Sequence, residues 1–259
     1  MAKIKDKLWN WGHLEGSHNE IVGIDCRMTP EQFAAQYGIK RAFIVSYGGN
    51  IQPPYHDLAK RLTALEEIKW SVLGDSSTPL PEAELGHTED VIDASVIGNI
   101  SGGVVDDFFS PVRIGRFTPD VLMKIKKALN DKGLDFWCVL YGHELKDELI
   151  PYLSCFDGIT FWFWRTGELE NMEATLSHVF ELADGKPVML GAYLYDYAAR
   201  RPMDPAIFEK QISHYFSLLR EGKIEGVIFC SSTVGDADLD ANHILKQYVA
   251  RYGDDDVAQ

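Results

Sequence analysis

The chain lacks the features that mark several large protein classes, and each shortage narrows what it does. No apolar run approaches the ~20 residues that a membrane-spanning helix needs. The opening stretch, "MAKIKDKLWNWGH", has no apolar core of the kind a secretory leader carries. A cytoplasmic protein is expected, or an exported one whose leader has been removed. Positive charge is scarce: 25 Lys and Arg stand against 39 Asp and Glu, for a net charge of −14. Nucleic acid and anionic membrane surfaces both call for a basic stripe, so neither is an expected partner. Cysteine is scarce as well. Cys26, Cys138, Cys155 and Cys230 lie far apart without CxxC spacing, and two of them fall in apolar runs, which reads as packed free thiols.

Familiar catalytic signatures are missing too. No glycine-rich phosphate fingerprint follows the first strand, which argues against a doubly wound nucleotide-binding sheet. In "YGGNIQPP" (47–54) prolines follow the glycine pair where a helix would have to start. Ser231 and Ser232 lack the G-x-S-x-G elbow, so acyl transfer is discounted. No HxxxH pair or tight His-x-His spacing marks a ready metal site.

What is present is a regular alternation. Parallel strands buried on both faces read as continuous apolar runs, and the helices between them show a 3.6-residue period. Strand-like runs occur at 41–48, 68–76, 100–108, 134–144, 158–165, 187–197 and 225–232. An eighth precedes them, and "KLWNWGHLE" (7–15) is preferred over "EIVGIDCRM" (20–28), leaving 16–28 as a long loop. Thr29-Pro30, Thr118-Pro119 and Asp204-Pro205 each set a capping side chain before a proline at the first helical position. Gly38, Gly133, Gly185 and Gly222 stand where helices must end. A last helix, "DANHILKQYVARY", closes the chain, and 253–259 reads as a frayed tail. Eight strand–helix units in 259 residues, with no linker between them, predict an α/β fold made of one (β/α)₈ TIM barrel spanning 1–259.

In such barrels chemistry sits at the C-terminal ends of the strands. Those ends carry Trp11, His13 and Glu15, with His18 and Asn19 beyond; Tyr47; Asp75; Asp106 and Asp107; Tyr141, His143 and Glu144; Trp162, Trp164 and Arg165; and Tyr193, Tyr195, Asp196 and Tyr197. Acids, imidazoles and large rings therefore gather at one rim. Flat rings beside carboxylates suit a sugar, whose C–H face packs on an aromatic while acids accept from its hydroxyls. A small-molecule carbohydrate is the expected partner, and the composition carries no signal of oligomeric state.

In "SGGVVDDFFSP" (101–111) two carboxylates end an apolar strand, where isolated charge is costly to bury. Successive strand residues face opposite sides, so one of the pair, Asp106 by preference, is expected to look into the mouth. The other would bond to Arg113 or Arg116. His13, Glu15, Asp107, His143 and Glu144, with Asp75, offer an alternative divalent-metal set. Trp70 and Trp137 sit mid-strand and belong to the core, and His56, His87, His178, His214 and His243 lie away from the rim.

On these strand-end residues the chain resembles the (β/α)₈-barrel glycoside hydrolases, including glycosidase-like bacterial barrels of unassigned activity. The resemblance implies an acid/base carboxylate at the end of strand 4, here Asp106 or Asp107, and a nucleophile at the end of strand 7, here Asp196. Glu144 can substitute for either. It also implies an enzyme that cleaves a glycosidic bond without a cofactor. Two other functions fit the same rim: a metal-dependent sugar isomerase, epimerase or lyase, and a carbohydrate-binding barrel without catalysis.

Overall fold

The computed structural model describes residues 2–97 and 99–258. Each apolar run becomes a strand because both of its faces find cover, one inside the barrel and one under the helices. The strands are β1 (Leu8–Gly12), β2 (Arg41–Ile44), β3 (Glu67–Ser71), β4 (Ile100–Val105), β5 (Asp135–Tyr141), β6 (Gly158–Trp162), β7 (Val188–Tyr193) and β8 (Gly226–Cys230). All pair in parallel, and β1 pairs with both β2 and β8, so the barrel closes.

A packing helix follows each strand: α1 (Pro30–Tyr37), α2 (His56–Arg61), α3 (Thr88–Ser95), α4 (Pro119–Asn130), α5 (Ile150–Leu153), α6 (Met172–Ala183), α7 (Pro205–Arg220) and α8 (Asp240–Tyr252), and short helices at Asn19–Val22 and Pro111–Arg116 precede α1 and α4. The expected caps operate at two starts. Thr29 accepts from the Gln32 amide at 3.3 Å, and Asp204 accepts from Ala206 and Ile207. Thr118 precedes α4 without such a bond. No helix among the described residues is long and apolar enough to cross a membrane.

The core is continuous from the barrel to the helices, and large rings fill the inside under the mouth. Trp162 is 1% exposed and meets Trp11 edge-on at 5.2 Å. Gly191 makes this possible: a Cβ there would lie 2.0 Å from the Trp162 ring. Burying a ring of this size contributes about 2–3 kcal/mol, which a shifted Trp162 would forfeit.

Three expectations need correction. β1 is shorter than 7–15, because Ile4–Lys7 forms a tight 3-10 turn before it and the chain turns at Leu14–Ser17 after it. The loop at 16–28 contains a one-turn helix, Asn19–Val22, stopped by left-handed Gly23. The C-terminal segment is not frayed. Asp255 and Gly253 carbonyls accept from Ile4 and Lys5, the Val257 amide donates to Ala2, and Val257 is buried. Lys3–Asp256 and Lys5–Asp254 pair across the same seam, so the N-terminal turn and the C-terminal segment hold each other in place.

Candidate active site

The strands open at their C-terminal ends into a cavity of about 850 Å³. Its acids are Asp75, Asp106, Asp107 and Glu144, its histidines His13, His18 and His143, and its rings Trp11, Tyr47, Phe109, Tyr141, Trp164, Tyr193 and Tyr197. Most of the sequence candidates therefore converge on one opening.

Both strand-4 aspartates line it, contrary to the alternation argument. β4 ends at Val105, and Asp107 takes a left-handed φ of 48°, so strand parity no longer governs the pair. Asp106 Oδ1 accepts from the Asp107 amide at 2.8 Å, and Asp107 Oδ2 accepts from the Ser76 amide at 2.9 Å. The Tyr141 hydroxyl donates to Asp107 Oδ1 at 2.9 Å and reaches Asp106 Oδ1 at 3.5 Å. Arg113 and Arg116 do not pair with these carboxylates. The buried Arg113 guanidinium donates to the carbonyls of Gly74, Asp75 and Asp106, which ties the ends of β3 and β4 together. Arg116 binds the carbonyls of Pro81 and Glu82.

Glu144 arrives by a different route. β5 runs into the 3-10 turn Gly142–Glu144, which folds the side chain back so that its Oε2 accepts from the Tyr141 amide at 2.9 Å. Burial, reinforced by the charge of Asp107 and opposed by that amide bond, pushes the Glu144 carboxyl up to about 7. Burial first, then the charges of Asp107 and Asp75, hold Asp106 well above the usual carboxylate range. Asp75 is raised by burial against the Ser77 and Thr78 hydroxyls that donate to its Oδ1. Burial and the neighbouring acids raise Tyr141 too, so its hydroxyl keeps the proton it donates.

The two histidines of the opposite wall stay neutral. Burial drives His13 well below its ordinary value and His18 to about 4. His13 Nδ1 lies 3.0 Å from the Val45 carbonyl, which can only accept, so Nδ1 carries the hydrogen and Nε2 is the bare acceptor.

The remaining candidates fall elsewhere. Glu15 lies past the turn that ends β1 and pairs with Arg61 at 3.3 Å. Asn19 accepts from the Cys26 amide and donates to Asp25, pinning its own loop. Trp162 lies beneath the cavity, in the core. Arg165 stands just before the 3-10 turn after β6, makes no capping bond with its side chain, and does not line the opening. β7 ends at Tyr193, and Tyr195–Asp196 instead forms a two-residue antiparallel ribbon with Arg201–Pro202. That ribbon buries Tyr195 and hands Asp196 to Thr166 Oγ1 and the Ala199 amide, outside the cavity lining. No group of three or more His, Cys, Asp or Glu side chains among the described residues is arranged to hold a metal ion.

Tyr141 and Tyr197 line the cavity as strand-end rings, and Phe109, Lys146 and Arg200 line it without having been singled out. Phe109 follows the aspartate pair by two residues, and Tyr141 and Tyr197 stood in plain view at strand ends. Lys146 gave no signal and Arg200 read equally well as a solvated charge, because each reaches the rim from an irregular loop.

No family model matches this sequence, and no curated protein matches it either. Solved structures share the fold. The catalytic domain of a hyperthermophilic chitinase from Pyrococcus furiosus aligns at 11% identity and a TM-score of 0.62, over 97% of this chain and 98% of that one. A GH113 beta-1,4-mannanase aligns at 9% identity and 0.56, over 96% and 99%. The tryptophan synthase A-subunit of Pyrococcus furiosus aligns at 11% identity and 0.54, over 96% and 98%. The resemblance to glycoside hydrolase barrels thus holds for the fold. Neighbours as different as a chitinase and a tryptophan synthase subunit leave the chemistry to be argued from this chain's own residues.

Proposed function

We propose that the protein is a glycoside hydrolase-like enzyme in which Glu144 and Asp107 act on a glycosidic bond held in the barrel mouth. One observation carries this reading: two carboxylates in different surroundings face one ring-walled cavity, and Tyr141 touches both. Glu144, raised to about 7, holds a proton near neutral pH and donates it to the leaving oxygen. Asp107, fixed by the Tyr141 hydroxyl and the Ser76 amide, attacks the anomeric carbon or takes a proton from the attacking water. Asp106 holds the Asp107 backbone in its unusual turn. Trp164 and Tyr193, with ring centres 5.7 Å apart and nearly perpendicular, offer faces to a sugar ring. Glu144 thus takes the acid role that the resemblance had suggested for the strand-4 aspartates, and Asp107 the nucleophile role suggested for Asp196.

The test is a panel of chromogenic glycosides with and without a chelator. Hydrolysis that persists in the chelator supports the reading. Loss of turnover in the chelator would point to a metal-dependent sugar isomerase or lyase, and tight binding without product to a carbohydrate-binding barrel.

A further inference from the structure

The proposed reaction uses the wall formed by β4 and β5. The facing wall, from β1 to β3, carries polar groups with no part in it: His13, His18, Tyr47 and Asp75. Their rings stand close together, His13 to His18 at 4.5 Å and His18 to Tyr47 at 4.4 Å. His13 is only 4% exposed, and its Nε2 has no hydrogen-bond partner among the described residues. Nothing among the described residues satisfies that acceptor, and His13 lines the cavity. Asp75 is arranged in the same manner. Both hydroxyls that bind it go to Oδ1, which leaves Oδ2 for a ligand.

Acids outnumber cations around these groups. Asp75, Asp106, Asp107 and Glu144 line the cavity, against Lys146 and Arg200, which are exposed on its rim. Among the described residues the deeply placed cation beside the acids is Arg113, which spends its guanidinium on backbone carbonyls. A bare imidazole nitrogen, a free carboxylate oxygen and the Tyr47 ring together complement a group that gives several hydrogen bonds and carries positive charge. A hydroxyl supplies only one such donor and no charge. An N-acetyl group loses the charge and turns a carbonyl toward acceptors.

We propose that the cavity takes glycosides of an amino sugar with a free ammonium, seated between Asp75, His13 and the Tyr47 ring. This names the substrate class for the glycosidase reading and rests on it. Binding to an Asp107→Asn variant, measured by calorimetry, separates recognition from turnover. The probes are β-1,4-linked tetramers of glucosamine, N-acetylglucosamine and glucose. The glucosamine tetramer is expected to bind at least ~10-fold more tightly than the other two, a difference of about 1.4 kcal/mol. The preference should shrink as salt screens the ammonium–carboxylate attraction. Adding Asp75→Asn should erase it. The salt series on Asp107→Asn alone keeps the test decisive if the double variant does not fold. Equal binding of the acetylated or glucose tetramer, a preference indifferent to salt, or no binding of the glucosamine tetramer would overturn the proposal. Cleavage of neutral glycosides by the wild type alongside equal binding would sink this inference alone. Tight, salt-sensitive binding of glucosamine without cleavage would sink the hydrolase reading alone.

Discussion

The two ends of the barrel use the same residue types in opposite ways. At the N-terminal end a smaller cavity of about 270 Å³ is bordered by Lys7, Arg41, Lys69, Glu67, Asp135 and Glu225. Every one of those charges has a partner. Lys69, 3% exposed, binds both Asp135 oxygens at 2.7 Å and Glu67 at 3.1 Å; Arg41 binds Glu67, and Lys7 binds Glu225. At the C-terminal mouth four acids share one cavity, and the nearest guanidinium serves backbone carbonyls. Paired buried charge fixes a structure, whereas unneutralised buried charge shifts proton affinities and marks a working site. The contrast teaches that an acid's role in this fold is set by whether a cation meets it.

Matched Asp→Asn exchanges at the two ends should break the comparison most sharply. Asp107→Asn in the mouth is expected to lower kcat/KM on a hydrolysed glycoside by about 10³-fold or more, with the circular dichroism spectrum and unfolding midpoint kept. Asp135→Asn at the bottom leaves the buried Lys69 ammonium with Glu67 as its one carboxylate, so chemical denaturation should show a loss of about 1.5–3 kcal/mol while the folded fraction keeps its kcat. Both variants behaving alike would remove the distinction.

A smaller effect concerns stability and pH. The Glu144 carboxyl is raised from 4.5 to about 7, so between those values the folded protein holds a proton that the unfolded chain has released. Stability therefore falls as pH rises through that window. Glu144→Gln removes the fall, and at pH 8 the variant should be the more stable by up to ~3 kcal/mol before solvent screening, the gap closing by pH 4. Thermal unfolding across pH reads this directly, and parallel curves for the two proteins would reject it. Tyr141→Phe should have the mildest consequence, roughly a 10-fold drop in kcat for one lost hydrogen bond to Asp107. A drop confined to KM would instead make Tyr141 a sugar contact.

The barrel was legible in the sequence because its signals are local: apolar runs repeat in each unit, and Pro-led helix starts and Gly stops mark several of them. The mouth was legible in outline for the same reason, since strand ends locate it. What escaped depends on the backbone beyond those ends. Asp107 turns left-handed, so parity gave the wrong answer for the pair. Asp196 sits in a ribbon that only pairing with Arg201–Pro202 reveals. Glu144 returns to the cavity through a 3-10 turn that a strand reading to residue 144 conceals. The docked C-terminal segment needed a partner more than 240 residues away, Lys3 with Asp256, which no local pattern announces.

The most direct check needs no substrate. Carbon NMR of the side-chain carboxyls, with the Glu144 signal assigned by its loss in Glu144→Gln, should show that group titrating near pH 7. A midpoint close to the ordinary glutamate value of about 4.3 would mean that the mouth does not hold a proton for catalysis, and the account would fall.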